Sequence, residues 1–321
     1  LTREEQRTKA MALIGMSIGA VFLLSMSIAP PLGESIGVDG LLWITALLGV
    51  LALIVLHWVV PTPSRHLRHR DVTPTAERIV TVLRDPQLLR LDGGIFVLHL
   101  VLTALFVVIP SEINRLTGLP LAEHWSVYVP VMLASVLGMI PLVILGSKPG
   151  RVGQMFHLAI GVLLIGLVSM ALVAALPVPG LVWMPLTLWI FFVGFNALEA
   201  MLPSLVSRVA PAADKGSAIG VYNTLQFLGV FVGGSLAGWL ASRHGAHSVY
   251  IVCAALTLVW LIVGLVSPAF RLSSSRVIHV GDASDSSHVQ ALVDRIRGVR
   301  GVQEVTIVRG EALAYLKVDD R

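Results

Sequence analysis

The chain has 321 residues, of which 55% are hydrophobic and 13% charged, and its mean hydropathy is +0.84. Soluble domains carry about 25% charged residues, so a soluble enzyme of this length is excluded. The net charge of +4 sits mostly in short segments between apolar runs, which fits membrane topology rather than nucleic-acid binding, and the single cysteine, Cys253, excludes an intrachain disulfide or a paired-cysteine metal site.

Apolar runs of roughly 20 residues match the length needed to cross about 30 Å of hydrocarbon. They predict eight spans, at residues 10–32, 40–60, 92–111, 125–145, 155–176, 181–206, 217–241 and 249–267. The first and seventh are glycine-rich. Gly15 and Gly19 form a GxxxG pair, as do Gly229 and Gly233, with Gly234 and Gly238 following. Such pairs let helix backbones approach closely.

Basic residues alternate between the connecting segments. Arg3, Arg7 and Lys9 precede the first span, six arginines lie between the second and third, and Lys148, Arg151, Arg208 and Lys215 fall in later loops of the same parity. The intervening loops carry only Arg115 and Arg243. Positive charge marks the cytoplasmic side, so both ends of the chain are expected there.

The segment 61–90 is long and basic, and 76–89 has the apolar period of a helix lying along the membrane face. It divides two spans from six. Six after a long central loop is half of a twelve-helix bundle, so four further helices are expected upstream of Leu1. The openings of the first and seventh spans agree: Arg7-Thr8-Lys9-Ala10-Met11-Ala12 and Lys215-Gly216-Ser217-Ala218-Ile219-Gly220 share a pattern, as an internal repeat requires.

After Ser273 the composition becomes mixed. Residues 276–281 read as a strand, 284–297 as a helix capped by Ser284 or Asp285, and 302–309 and 311–319 as strands. The order βαββ is an incomplete ferredoxin-like unit. The expected fold class is thus an all-α membrane bundle followed by a small α+β domain. Its divisions are 1–60 (last two helices of a first half), 61–91 (cytoplasmic central loop), 92–270 (a six-helix second half) and 273–321 (cytoplasmic domain, partial).

Motifs within this frame resemble a known family. Residues 1–19 are similar to the loop and helix after the fourth span of bacterial drug-efflux transporters of the major facilitator superfamily. Ala29-Pro30-Pro31-Leu32-Gly33-Glu34 resembles their antiporter motif GPxxGG, with Pro30 and Gly33 kept and two glycines replaced by Ala29 and Glu34. Residues 195–207 and 215–229 resemble the tenth and eleventh helices of a subgroup that carries a ferredoxin-like domain after its twelfth helix, and 301–308 with 314–319 resemble that domain. The resemblance implies a multi-pass protein of the bacterial inner membrane, working by alternating access and exporting small molecules against protons. It leaves proton-coupled nutrient symport, or sensing through the tail, as alternatives.

Ionisable residues inside a span are costly and mark function. Glu199 lies inside the sixth span with Asn196 three residues earlier on the same face, and His99 is central in the third. A buried carboxylate or an imidazole can load and release protons, so Glu199 and His99 are the candidate coupling residues. Tyr222, Asn223 and Gln226 form a polar stripe in the seventh span and, with Asn196, are candidates for a substrate cavity. No cofactor is expected. The tail's His279 and His288 without a cysteine pair make no soft-metal site. No P-loop, HExxH or catalytic triad is present, so no enzyme is expected. The expected partners are the lipid bilayer, a small-molecule substrate and protons, for a monomer whose tail binds an unknown ligand or protein.

Overall fold

The computed structural model describes residues 4–60, 76–148, 150–176, 179–211, 214–270, 272–279, 292–293, 295–299, 301–308 and 313–319. Among the described residues the main elements follow in order: α1 Glu4–Trp58, α2 Ala76–Arg84, α3 Pro86–Thr117, α4 Trp125–Gly146, α5 Val152–Ala175, α6 Gly180–Val209, α7 Lys215–His244, α8 Ala246–Val266, β1 Ser273–His279, β2 Val302–Val308 and β3 Leu313–Asp319. Among the described residues, seven helices are long and apolar enough to cross a membrane.

The first two predicted spans both fall in α1, which is two helices meeting at a kink at Gly37 (φ 72°, ψ 174°), between the expected ends at residues 32 and 40. Pro30 and Pro31 lie inside the helix.

The central segment also differs. The amphipathic helix stops at Arg84, where 76–89 was expected, because Asp85 and Pro86 start a new helix. The Asp85 carboxylate accepts from the Gln87 and Leu88 N–H groups at 2.8 and 3.2 Å, and proline at the first helical position loses no hydrogen bond. α3 therefore begins six residues before the predicted span. At its other end it runs on to Thr117, so Arg115 is a helix residue, joined bidentately to Glu112 at 2.6 and 3.0 Å. Residues 61–75, and the N-cap and first turns of the tail helix expected over 284–297, lie outside the described residues; Leu292–Val293 and 295–297 are helical.

The bundle is held by glycines. α3 and α7 run parallel, and a Cβ at Gly229 would overlap the Phe96 carbonyl, while one at Gly233 would overlap that of Leu100. The same four-residue step recurs on both helices, as expected where backbones touch. α5 and α6 meet likewise: Gly166 abuts the Phe191 backbone and Gly194 the Leu163 and Ala159 backbone. The core is Ile95, Leu98, Leu105, Ile160, Leu163, Phe191, Leu198 and neighbours. The outward side chains are apolar too, among them Leu137, Leu181, Phe227, Phe231 and Val266. In water such a surface would aggregate; it suits lipid tails.

The tail strands form one antiparallel sheet in the order β1-β3-β2, with His279 opposite Leu313, Val308 also opposite Leu313, and an irregularity between Val302 and Glu304.

Gly233→Ala should weaken the α3–α7 contact by roughly 1–3 kcal/mol, the usual cost of overpacking. Gly238→Ala, where an added Cβ meets nothing within 4 Å, should not. Thermal unfolding of the purified protein in detergent checks the pair.

Candidate functional site

The close α3–α7 contact brings two polar stripes together. His99 on α3 is 8% exposed, and its Nε2 lies 2.8 Å from the Gln226 amide nitrogen on α7. An amide NH₂ only donates, so it bonds a ring nitrogen that carries no proton; turned over, its oxygen accepts from a protonated one. Either way the ring is fixed. Phe195 of α6 packs edge-on to it at 5.9 Å between centroids.

From α6, Glu199 reaches the same nitrogen: its Oε2 lies 3.9 Å from His99 Nε2. This oxygen is buried and has no hydrogen-bond partner in the described structure. Three helices therefore converge on one imidazole nitrogen. Tyr222, one turn before Gln226, is buried and lies within electrostatic reach of Glu199. His99, Glu199, Gln226 and Tyr222 are thus gathered in one region.

The other sequence candidates lie elsewhere. Asn196 turns to α4, donating to Ser135 Oγ at 2.8 Å, and Ser135 donates in turn to the Met132 carbonyl at 2.7 Å. Asn223 is exposed, because one residue along a helix turns the side chain by about 100° from its neighbour. Pro30 lines an apolar cavity of about 310 Å³ with Ser25, Ala29, Phe106, Pro110 and Tyr128. Gly33 packs near Leu41, and the Glu34 carboxylate accepts from the Ala122 N–H at 3.2 Å.

Sequence reasoning passed over Asp92. The apolar runs begin the third span at this residue. The Asp85-Pro86 cap was the signal that the helix starts earlier, which places Asp92 two turns inside, 1% exposed. Among the described residues no group of His, Cys, Asp and Glu side chains is arranged to hold a metal ion.

The family model described as Major Facilitator Superfamily matches residues 1–234 and 188–293. The chain belongs to the major facilitator superfamily. Among its relatives, the inner membrane transport protein YajR of Escherichia coli K12 is 36% identical over 322 aligned positions, which cover 100% of this chain and 69% of the relative. An uncharacterized transporter, BU466, of Buchnera aphidicola from Acyrthosiphon pisum is 27% identical, over 73% of this chain and 59% of its own length. Another from the Schizaphis graminum strain is 28% identical, over 82% of this chain and 66% of its own length. The chain spans about two thirds of the length of these relatives. As a member of the superfamily it is a multi-pass membrane transport protein, and the apolar outer faces of its helices are the surfaces that lipid covers.

Ser135→Ala and Asn196→Ala should each lower stability by about 0.6 kcal/mol, the average for a hydrogen bond between membrane helices. The double variant should lose no more than either alone. A double-mutant cycle by thermal unfolding checks this.

Proposed function

We propose that this superfamily member is a proton-coupled secondary transporter that exports small organic compounds across a bacterial inner membrane. The observation that carries the reading is the approach of Glu199 to His99 Nε2 at 3.9 Å, inside the bundle and between helices α6 and α3. At this spacing the two are not hydrogen-bonded, and a small side-chain shift or one bridging water brings them within proton-transfer reach. When Nε2 lacks a proton, it accepts from the Gln226 amide. When it gains one, the ring becomes a cation, and the Glu199 carboxylate is its counter-charge. One proton thus exchanges one hydrogen bond for an ion pair across helices, a two-state element of the kind alternating access requires.

In this reading α3 to α8 form the second half of a twelve-helix transporter, 92–270, α1 supplies the end of the first half, 1–60, and 61–91 is the cytoplasmic linker. Both ends of the chain face the cytoplasm, as the basic loops indicate. The tail, 273–321, is a ferredoxin-like domain: the strand order β1-β3-β2, all antiparallel, is the order that a split βαβ unit adopts. Gln226 and Tyr222 face the cavity with the proton pair. Asn223 serves the substrate path from its exposed position.

The Escherichia coli relative is named as an inner membrane transport protein, which supports the location. Export by antiport rests on Pro30 and Gly33. A second reading, uptake by proton symport, is favoured by Glu34, which replaces a motif glycine and is tied to the Ala122 N–H.

Inside-out vesicles with an acid interior, loaded with the full-length protein, test this. Wild type should accumulate a fluorescent cationic dye and dissipate the pH gradient as it does so. Glu199→Gln should lose at least nine tenths of that accumulation while inserting normally. Unchanged proton-driven accumulation in the variant contradicts the assignment; dye movement in the opposite sense selects symport.

A further inference from the structure

Asp92 is the least expected group in the bundle. It lies on α3 seven residues before His99, two helical turns along the same face. It is 1% exposed, and neither carboxyl oxygen has a hydrogen-bond partner in the described structure. Buried polar groups are otherwise almost always satisfied, and an unpaired carboxyl inside a spanning helix is costly and marks a functional position. On α7 the Tyr222 hydroxyl is equally buried and equally unpartnered, and it lies within electrostatic reach of both Asp92 and Glu199.

The surrounding charges do not claim Asp92 as a structural ion-pair partner. Arg90, two residues earlier on α3, donates to the Pro268 carbonyl at 2.8 Å and stacks over the Phe270 ring at 3.8 Å. His157 of α5 lies beside Arg90 and packs against Phe156 and Gly264. From α8 the Trp260 indole packs against Gly94. On α2, Arg84 is exposed. Glu199 of α6, Tyr222 of α7 and His99 on α3 itself are the other ionisable groups linked to this region among the described residues.

We propose that Asp92 and Tyr222 form a second proton-carrying site of the transporter, on the α3–α7 contact, that exchanges protons with the Glu199–His99 pair. The proposal rests on the proton-coupled reading above. In the transfer, protonated Asp92 gives its proton to the Tyr222 oxygen as the phenol gives its own to the Glu199 carboxylate. Asp92 is left as carboxylate, Glu199 as acid, and the phenol neutral as before. The hydroxyl bonds neither carboxyl in this conformation, so the transfer awaits a swing of the phenol or a bridging water. The α3 turn that carries Asp92 adjoins the basic segments, which makes Asp92 the entry or exit on that side.

The test needs no substrate. Infrared difference spectra of the full-length protein in liposomes are recorded across steps between pH 5 and 9. Wild type should give two buried carboxylic-acid bands that grow on acidification. Asp92→Asn should remove one and displace the pH midpoint of the other; Glu199→Gln should remove that other one. Asp92→Glu should move the first band without removing it, which separates a true assignment from a variant that has collapsed. Tyr222→Phe should keep both bands and slow their response to a pH jump at least tenfold. An Asp92→Asn spectrum identical to wild type overturns the proposal, as does an unmoved Glu199 midpoint. Absence of dye transport with these bands intact would instead overturn the export reading alone.

Discussion

The site depends on how closely α3 and α7 approach. Lipid tails are as apolar as leucine, so membrane helices gain little from hydrophobic burial against each other and are held by backbone contact and polar bonds. Gly229 and Gly233 provide that contact on the carbonyls of Phe96 and Leu100. Once the two helices lie parallel at this distance, the polar stripes just before the glycines must meet. Gln226 then reaches His99, and Tyr222 falls near Asp92. A larger residue at either glycine would part the stripes before it affected any residue of the site directly.

The polar groups inside the bundle divide by how they are satisfied. Glu112 and Arg115 neutralise one another through two hydrogen bonds at one end of α3. Asn196 and Ser135 close a neutral pair between α6 and α4. These need nothing further and serve packing. Glu199, His99, Tyr222 and Asp92 keep buried atoms without protein partners. In a medium of low polarity, unsatisfied groups are expensive, and here four ionisable side chains of α3, α6 and α7 share one region of the bundle.

Much of this was legible in the sequence. Run lengths gave the helices from α3 to α8, because hydrocarbon thickness leaves little freedom in how long an apolar segment must be. Glu199, His99 and the Tyr222–Gln226 stripe stood out because so few polar residues interrupt the runs. Other features were hidden. Hydropathy sees an average and not a cap, so Asp92 was placed at a boundary that the Asp85-Pro86 start moves six residues away. Asn196 and Glu199 share a helix face, yet a short amide beside Ser135 finds its partner on α4, and no pattern within one helix reveals which neighbour stands opposite. Asn223 was grouped with Tyr222 by adjacency in sequence, which on a helix means a different face. The gap between the first two predicted spans narrows to a kink at Gly37, since the rest of the segment has nothing that forbids a helix.

The central claim is that His99 and Glu199 act as one titrating pair across α3 and α6. Nitrogen NMR of the histidine-labelled full-length protein in lipid, with the His99 signal assigned by substitution, tests it most directly. The account predicts that the His99 ring nitrogens change protonation as the pH is lowered and that Glu199→Gln displaces that titration. A His99 signal that keeps one protonation state throughout, or that titrates identically in wild type and variant, would contradict it.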